Sequence, residues 1–160
     1  AAVCYTNLGM KSMKDETALV DTNILVYAYD TFDKKKHERS KPLVEAAFRG
    51  DGRFAVSNQI LSELFSVLTQ KLKKPFSIED AEAIVSGIID SANWIKINYD
   101  HETVKKAIAI AKSSKIPIWD SLIIATALEN GITKIYTENT KDFKEIARID
   151  AINPMNSNLA

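Results

Sequence analysis

Four acidic residues, Asp21, Glu63, Asp120 and Asp142, stand where carboxylates could do chemistry. In "ALVDTNILVYAYD" (18–30) an apolar run stops at Asp21, adds Thr22 and Asn23, and turns apolar again. A strand that ends in a carboxylate and passes directly into a helix can hold that carboxylate at the mouth of a sheet. Taken alone, Asp21 reads as an N-cap, because a helix beginning near Ile24 needs one. Glu63 falls beside Ile60 and Val67, at the edge of a helical stripe that should face the core. A carboxylate there is costly unless it is paired or bound, or bends out to water or a lysine. In "IPIWDSLIIATAL", Asp120 shares a face with Ile123, Ile124, Ala127 and Leu128, one turn earlier, and should point inward. The helix dipole favours any acid in a first turn by a few tenths to about 1 kcal/mol. A surface acid would gain that equally without facing apolar neighbours, so the inward direction favours function. "YTENTKDF" adds Glu138, Asn139 and Asp142; Asn139 suits a turn and Asp142 could cap a last helix.

Carboxylates sharing one pocket repel one another unless protons or cations intervene. Oxygen ligands without His or Cys select a hard ion such as Mg²⁺ or Mn²⁺. The two histidines, His37 and His101, lie in charged, solvent-like stretches, which argues against zinc. A hard divalent ion with open positions activates water and neutralises charge on a phosphate in flight. The chemistry indicated is phosphodiester hydrolysis.

The elements that must gather these acids are legible as alternating patterns. "TALVD" (17–21), "RFAVS" (53–57), "NWIKI" (93–97), "TKIYT" (133–137) and "IDAIN" (149–153) read as strands. Between them, "HERSKPLVEAAFRG" ends at Gly50, a helix stop. "NQILSELFSVLTQKL" repeats apolar residues on one helical face, and "SIEDAEAIVSGIIDS" opens with Ser77 three residues before Asp80, as in a capping box. "DHETVKKAIAIAKSS" can start on Asp100, "DSLIIATALEN" stops at Gly131, and "KDFKEIA" makes a last short helix. Strand and helix alternate throughout, which predicts an α/β protein with a parallel sheet covered by helices on both faces. Ligands of such sheets collect beyond the carboxyl ends of the strands, where the strand order reverses. Asp21, Glu63 and Asp142 all follow strands, and Asp120 opens the helix before the fourth.

The bulk numbers suit one domain with a full core: 160 residues, 46% hydrophobic and 26% charged. Lys+Arg and Asp+Glu balance at 21 each, so no global charge advertises a nucleic-acid partner, although a basic stripe can lie beside an acidic pocket. Cys4 is the only cysteine, which rules out an internal disulfide framework and suits a reducing cytoplasm. No apolar run approaches bilayer length, so no membrane span is expected. Residues 1–16 lack the apolar stretch of a signal peptide and read as a tail, partly of cloning origin, with Met10 or Met13 as a candidate start. The domain is expected over 17–153, followed by a C-terminal tail over 154–160.

On these residues the chain resembles the PIN domain family. "LVDTNILVYAYD", "LSELFSVLTQ" and "IPIWDSLIIATALENGITKIYTENTKDF" look like its three signature blocks, and the likeness runs over residues 17–153. It is nearest to VapC-type toxin ribonucleases of prokaryotic toxin–antitoxin pairs. The resemblance implies a three-layer α/β/α sandwich on a five-stranded parallel sheet, usually dimeric, that cuts RNA using Mg²⁺ or Mn²⁺. It matches Asp21, Glu63 and Asp120 to the family acids, which would be the metal ligands. Thr22 and Asn23 match the polar pair after the first acid, with Asn23 bracing carboxylates, and Thr137 matches a Ser/Thr near the fourth strand. The departure is Asn139, where family members often carry Asp. Asp142 keeps its charge, and Glu138 is adjacent as a substitute, so one metal is expected and a second is in doubt.

The mechanism expected is attack of a metal-activated water on an RNA phosphorus, with an acid accepting the proton. The basic runs "KKKHERSK" and "KLKK" offer Lys35, Lys36, Lys73 and Lys74 to phosphates, although such runs are more often a solvated face. Trp119 could stack on a base, but a Trp before an apolar helix is more often core. The apolar "AIVSGIID" could supply a homodimer face, and a small antitoxin is the other implied partner. Four readings compete. A haloacid-dehalogenase-type phosphatase needs an Asp where this chain has Asn23. A degenerate module for binding or scaffolding draws support from Asn139. An RNA-processing nuclease would act without an antitoxin. A nucleotide-binding regulator lacks its glycine-rich phosphate loop.

Overall fold

Each expected strand is present to within a residue at either end: β1 (Thr17–Val20), β2 (Arg53–Ser57), β3 (Trp94–Ile97), β4 (Lys134–Tyr136) and β5 (Asp150–Ile152). The computed structural model describes residues 16–146 and 148–156, so the tail expected over 1–16 lies almost wholly outside the described residues. The helices are α1 (Thr22–Tyr29), α2 (Lys34–Arg49), α3 (Asn58–Gln70), α4 (Ile78–Asp90), α5 (His101–Ser114), α6 (Ile118–Glu129) and α7 (Thr140–Phe143). Helix α2 starts three residues before the expected His37, because the Asp33 carboxylate accepts the Lys36 N–H at 3.1 Å and caps it there. It closes on Gly50 in the left-handed region at φ 77°, which a residue with a Cβ adopts only at a cost. Ser77 caps α4, but the two-way capping box forms at Asp100 and Thr103 of α5.

All strand pairs are parallel, in the order β3-β2-β1-β4-β5. Leu19 of the central β1 pairs with Ala55 on one side and Ile135 on the other, and all three are fully buried. Successive strands step outward from β1 to β3, and the chain then returns to the far side of β1. Right-handed crossovers therefore send the helices before and after β3 to opposite faces. The helix contacts sort the same way: α1 packs on α2 and α3, and α3 on α4, while α5 packs on α6 and α6 on α7. This is the three-layer α/β sandwich. Among the described residues no helix is long and apolar enough to cross a membrane.

Helix α6 departs from a single apolar stripe. Every residue from Ser121 to Ala127 is buried. Ile123, Ile124 and Ala127 join the main core with the strands, while Leu122 and Ala125 form a second cluster with Ala107 of α5. The helix carrying Asp120 is thus gripped from two sides. Truncating its fully buried Ile124 to Ala is expected to cost about 2–5 kcal/mol, read as a lowered urea midpoint; a loss below about 1 kcal/mol would contradict this packing.

Candidate active site

Asp21 belongs to the sheet and to a helix at once. Its N–H donates to the Tyr136 carbonyl at 2.9 Å, prolonging the β1–β4 ladder, while its carboxylate accepts the Thr22 N–H at 2.7 Å and caps α1. The other oxygen accepts from the Thr137 hydroxyl at 2.7 Å and from the Asn23 amide at 3.1 Å. Asp21 is only 6% exposed. Burial pushes its pKa above the ordinary range, the Thr137, Thr22 and Asn23 donors oppose that, and the Glu63 charge adds to it. Thr137 is a hub: its oxygen also accepts from the Asn139 N–H at 3.1 Å and the Asn23 amide at 3.4 Å.

Glu63, in the second turn of α3, turns neither to open water nor to a lysine. One oxygen accepts the Thr22 hydroxyl at 2.9 Å and the other the Gln59 amide at 2.9 Å. Gln59 was not evident as a site residue. It is 5% exposed, and the same amide nitrogen donates to the Trp119 carbonyl at 3.1 Å, tying α3 to α6. The available signal was its spacing: four residues before Glu63, one helical turn away on the same face.

Asp120 lies in the first turn of α6, which begins at Ile118 behind Pro117. The Asn139 amide donates to it at 3.3 Å and to Asp142 of α7 at 3.0 Å, so a neutral side chain holds two acids together. The Asp120 carboxyl is raised to about 6, first by burial, then by the charges of Asp21, Asp142 and Glu63, and by a hydrogen bond with Asp142. These effects show that four acids from β1–α1, α3, α6 and α7 converge.

Asp21, Glu63 and Asp120 line one cleft of about 400 Å³ with Thr22, Asn23, Tyr27, Trp119 and Asn139. It opens beyond the carboxyl ends of β1 and β4, where the strand order reverses. Among the described residues no lysine or arginine lines it. Glu138, the candidate substitute for the fourth acid, is instead drawn away by Lys36 at 2.6 Å and by the Tyr27 hydroxyl. Its pKa is lowered below the ordinary range: burial, the largest influence, pulls upward but is outweighed by the Lys36 and Tyr27 bonds. Lys36, counted among the phosphate-binding candidates, is spent on that ion pair and on the Tyr27 ring, 4.5 Å from its nitrogen. Lys35 and Lys74 are exposed, and Lys73 stands 4.2 Å from the Phe32 ring centre. Trp119 corrects the core reading outright, being 62% exposed at the rim.

The donor set fits a hard divalent ion. It is all oxygen, it lacks a cation among the described residues, and the neighbouring charges raise the proton affinity of Asp120. Among the described residues no three acidic, histidine or cysteine side chains already form a ligating cluster.

Residues 18–149 match the PIN domain family. No curated protein matches the sequence. Among solved structures, Mycobacterium tuberculosis VapC20, described as a toxin that cleaves the sarcin–ricin loop, aligns with TM-score 0.61 and 15% identity over 79% of this chain and 93% of its own. Rickettsia felis VapBC2, bound to a DNA fragment from its promoter, aligns with TM-score 0.60 and 20% identity over 86% and 98%. Neisseria gonorrhoeae FitAcB aligns with TM-score 0.59 and 17% identity over 88% and 99%. At these identities the likeness is one of fold.

Folding raises the Asp120 pKa from 3.8 to about 6, so the native state holds this proton more tightly than the unfolded chain. Ionising Asp120 therefore costs stability as pH rises through that window, and costs nothing below it. Asp120→Asn should gain about 1 kcal/mol at neutral pH, after discounting for solvent screening at a half-buried site, and nothing in acid. Urea midpoints across the range would show it; an equal gain at both ends would contradict the repulsion. With its sequence matched over 18–149 and its sheet order, helices and acidic cleft described, the chain belongs to the PIN domain family.

Proposed function

We propose that the protein is a divalent-metal-dependent endoribonuclease, hydrolysing RNA phosphodiester bonds as the toxin of a toxin–antitoxin pair. One observation carries the reading: carboxylates from three separate elements share a cleft whose lining, among the described residues, has no cation to neutralise them. Asp21, Glu63 and Asp120 would hold one Mg²⁺ or Mn²⁺, directly or through its waters, with Asp142 or Asn139 completing the shell. When bound, the ion supplies an acidified water and neutralises charge on the phosphate. The chain's own residues do the rest. Thr22, Asn23 and Thr137 fix the Asp21 oxygens, and Thr22 and Gln59 fix those of Glu63. The Asp120 carboxylate takes the proton of the water as it attacks in line. Asn139 keeps Asp120 and Asp142 together while that proton moves. Lys35, Lys73 and Lys74 are the cations available to flanking phosphates, whereas Lys36 orders Glu138.

The toxin assignment draws on the resemblance to VapC-type proteins and on the toxin–antitoxin complexes among the structural neighbours, including one from Klebsiella pneumoniae. A small antitoxin is the proposed partner. A homodimer is proposed through α4, whose Ile78 and Ile89 are exposed. Asn139 favours a second reading, a binding or scaffolding module that has lost catalysis, because its amide occupies carboxylate oxygens that a cation would use.

Wild-type protein with Mn²⁺ should cut unstructured RNA, and Asp120→Asn or Asp21→Ala should lower the rate by at least about 100-fold. Full activity of Asp120→Asn in Mn²⁺ would reject its role, and inert wild-type protein would favour the scaffolding reading. Mn²⁺ should also raise the melting temperature of wild-type protein, as any ligand of the native state does, and raise that of Asp21→Ala much less. Equal shifts would mean that the ion binds elsewhere.

A further inference from the structure

The two tryptophans have opposite environments. Trp94 is 1% exposed and packs against Phe48 and Phe54 at ring-centre distances of 5.8 and 6.3 Å. Trp119 is 62% exposed at the rim of the acidic cleft. An indole left in water forgoes one of the largest burials a side chain can make. Its backbone is nonetheless held firmly. The Gln59 amide nitrogen donates to the Trp119 carbonyl at 3.1 Å and to Glu63 at 2.9 Å, so one buried side chain sets both the second acid and the base of the indole. The next residue is Asp120. The Trp119 backbone is thereby tied to the side chain that also holds Glu63, next to Asp120 in the chain.

Trp119 also divides two hollows. On one side is the acidic cleft, and on the other a hollow of about 350 Å³ lined by Gln59, Glu63, Ser66, Val67 and Lys71. Lys71 follows the last turn of α3, is exposed, and makes no ion pair among the described residues. Acids, an exposed aromatic and a cation without an ion pair thus border two adjoining hollows that share Glu63, Val67 and Trp119. Phosphates and a base between them, as a nucleic-acid strand presents them, match that set of groups. A base inside a duplex already has both faces stacked, so only an unpaired one can offer a face to an exposed ring.

Resting on the nuclease reading, we propose that Trp119 stacks an unpaired nucleobase of RNA beside the phosphate at the acids, and that the following phosphate lies against Lys71. The subsite would make the enzyme read single-stranded segments through shape and stacking. Gln59 is its positioning residue.

Both tryptophans emit, but Trp94 is buried, so a change in tryptophan fluorescence on adding RNA reports on the exposed Trp119. The test titrates Asp120→Asn protein with Mn²⁺ and an unstructured RNA hexamer, so that binding is read without cleavage. Quenching is expected with the single strand and not with the same sequence in duplex. By anisotropy of labelled RNA, adding Trp119→Ala should weaken binding about tenfold, and Trp119→Phe should recover most of that. In the otherwise wild-type protein Trp119→Ala should raise KM about tenfold with little change in kcat. Lys71→Ala should reduce the slope of log affinity against log salt by about 0.7. No quenching, equal quenching by duplex, or unchanged binding after Trp119→Ala would overturn the subsite, as would an indole that responds only to a protein partner. RNA cleavage that survives Trp119→Ala with unchanged KM would remove the subsite and leave the nuclease reading. Base-dependent quenching in a protein that never cuts RNA would do the reverse.

Discussion

Like charges gathered at one edge of a sheet, with no cation among the described residues that line their cleft, are the constraint on which the rest of this structure turns. Repulsion between carboxylates would ordinarily drive such side chains apart or protonate them. Here neutral donors hold them: Thr22 and Thr137 hydroxyls, Asn23, Gln59 and Asn139 amides, and one backbone N–H. Each donor stabilises a negative oxygen without cancelling its charge. The site is therefore ordered and still electrically unsatisfied, and that combination gives a hard cation a reason to bind.

The same logic explains the surroundings. Lys36 does not line the cleft; it is engaged by Glu138 and by the hydroxyl of Tyr27, a cleft residue. A lysine inside the cleft would stabilise the acids at the expense of ion binding. Glu138, next to Asn139 in the chain, serves to keep that cation away, while its backbone N–H donates to Asn23 at 3.1 Å. Beside it the neutral Asn139 amide bridges Asp120 and Asp142. A hydrogen bond there holds the two acids without adding charge.

Rigidity comes from how the acids are mounted. Asp21 is locked by ladder and cap together, Glu63 by donors from α1 and its own helix, and Asp120 by a helix buried on two sides. Side chains carried this way spend little freedom when a substrate arrives, which is what precise positioning of a reacting phosphate requires.

The strands and helices of the chain were legible because their periodicities, two and helical, are local properties of the sequence. Glu63 and Asp120 were legible as misfits, acids on or beside faces that apolar neighbours assign to the core, whereas Asp21, at a strand end, read by itself as a helix cap. Other features needed the folded chain. Gln59 and Tyr27 carry no such misfit, and their role lies in partners far along the sequence, Trp119 and Glu138. The fate of Lys36 depended on a glutamate 102 positions later, and the exposure of Trp119 on how closely α5 and α3 approach α6. The second buried face of α6 exists only because α5 supplies Ala107 opposite Leu122 and Ala125. Sequence alone thus determined which residues are apolar, which are charged and how they recur, and hence the elements and the acids worth watching. Tertiary structure alone decided which charges meet, which cancel and which remain, because Coulomb and hydrogen-bond energies depend on distances through space that the order of residues does not contain.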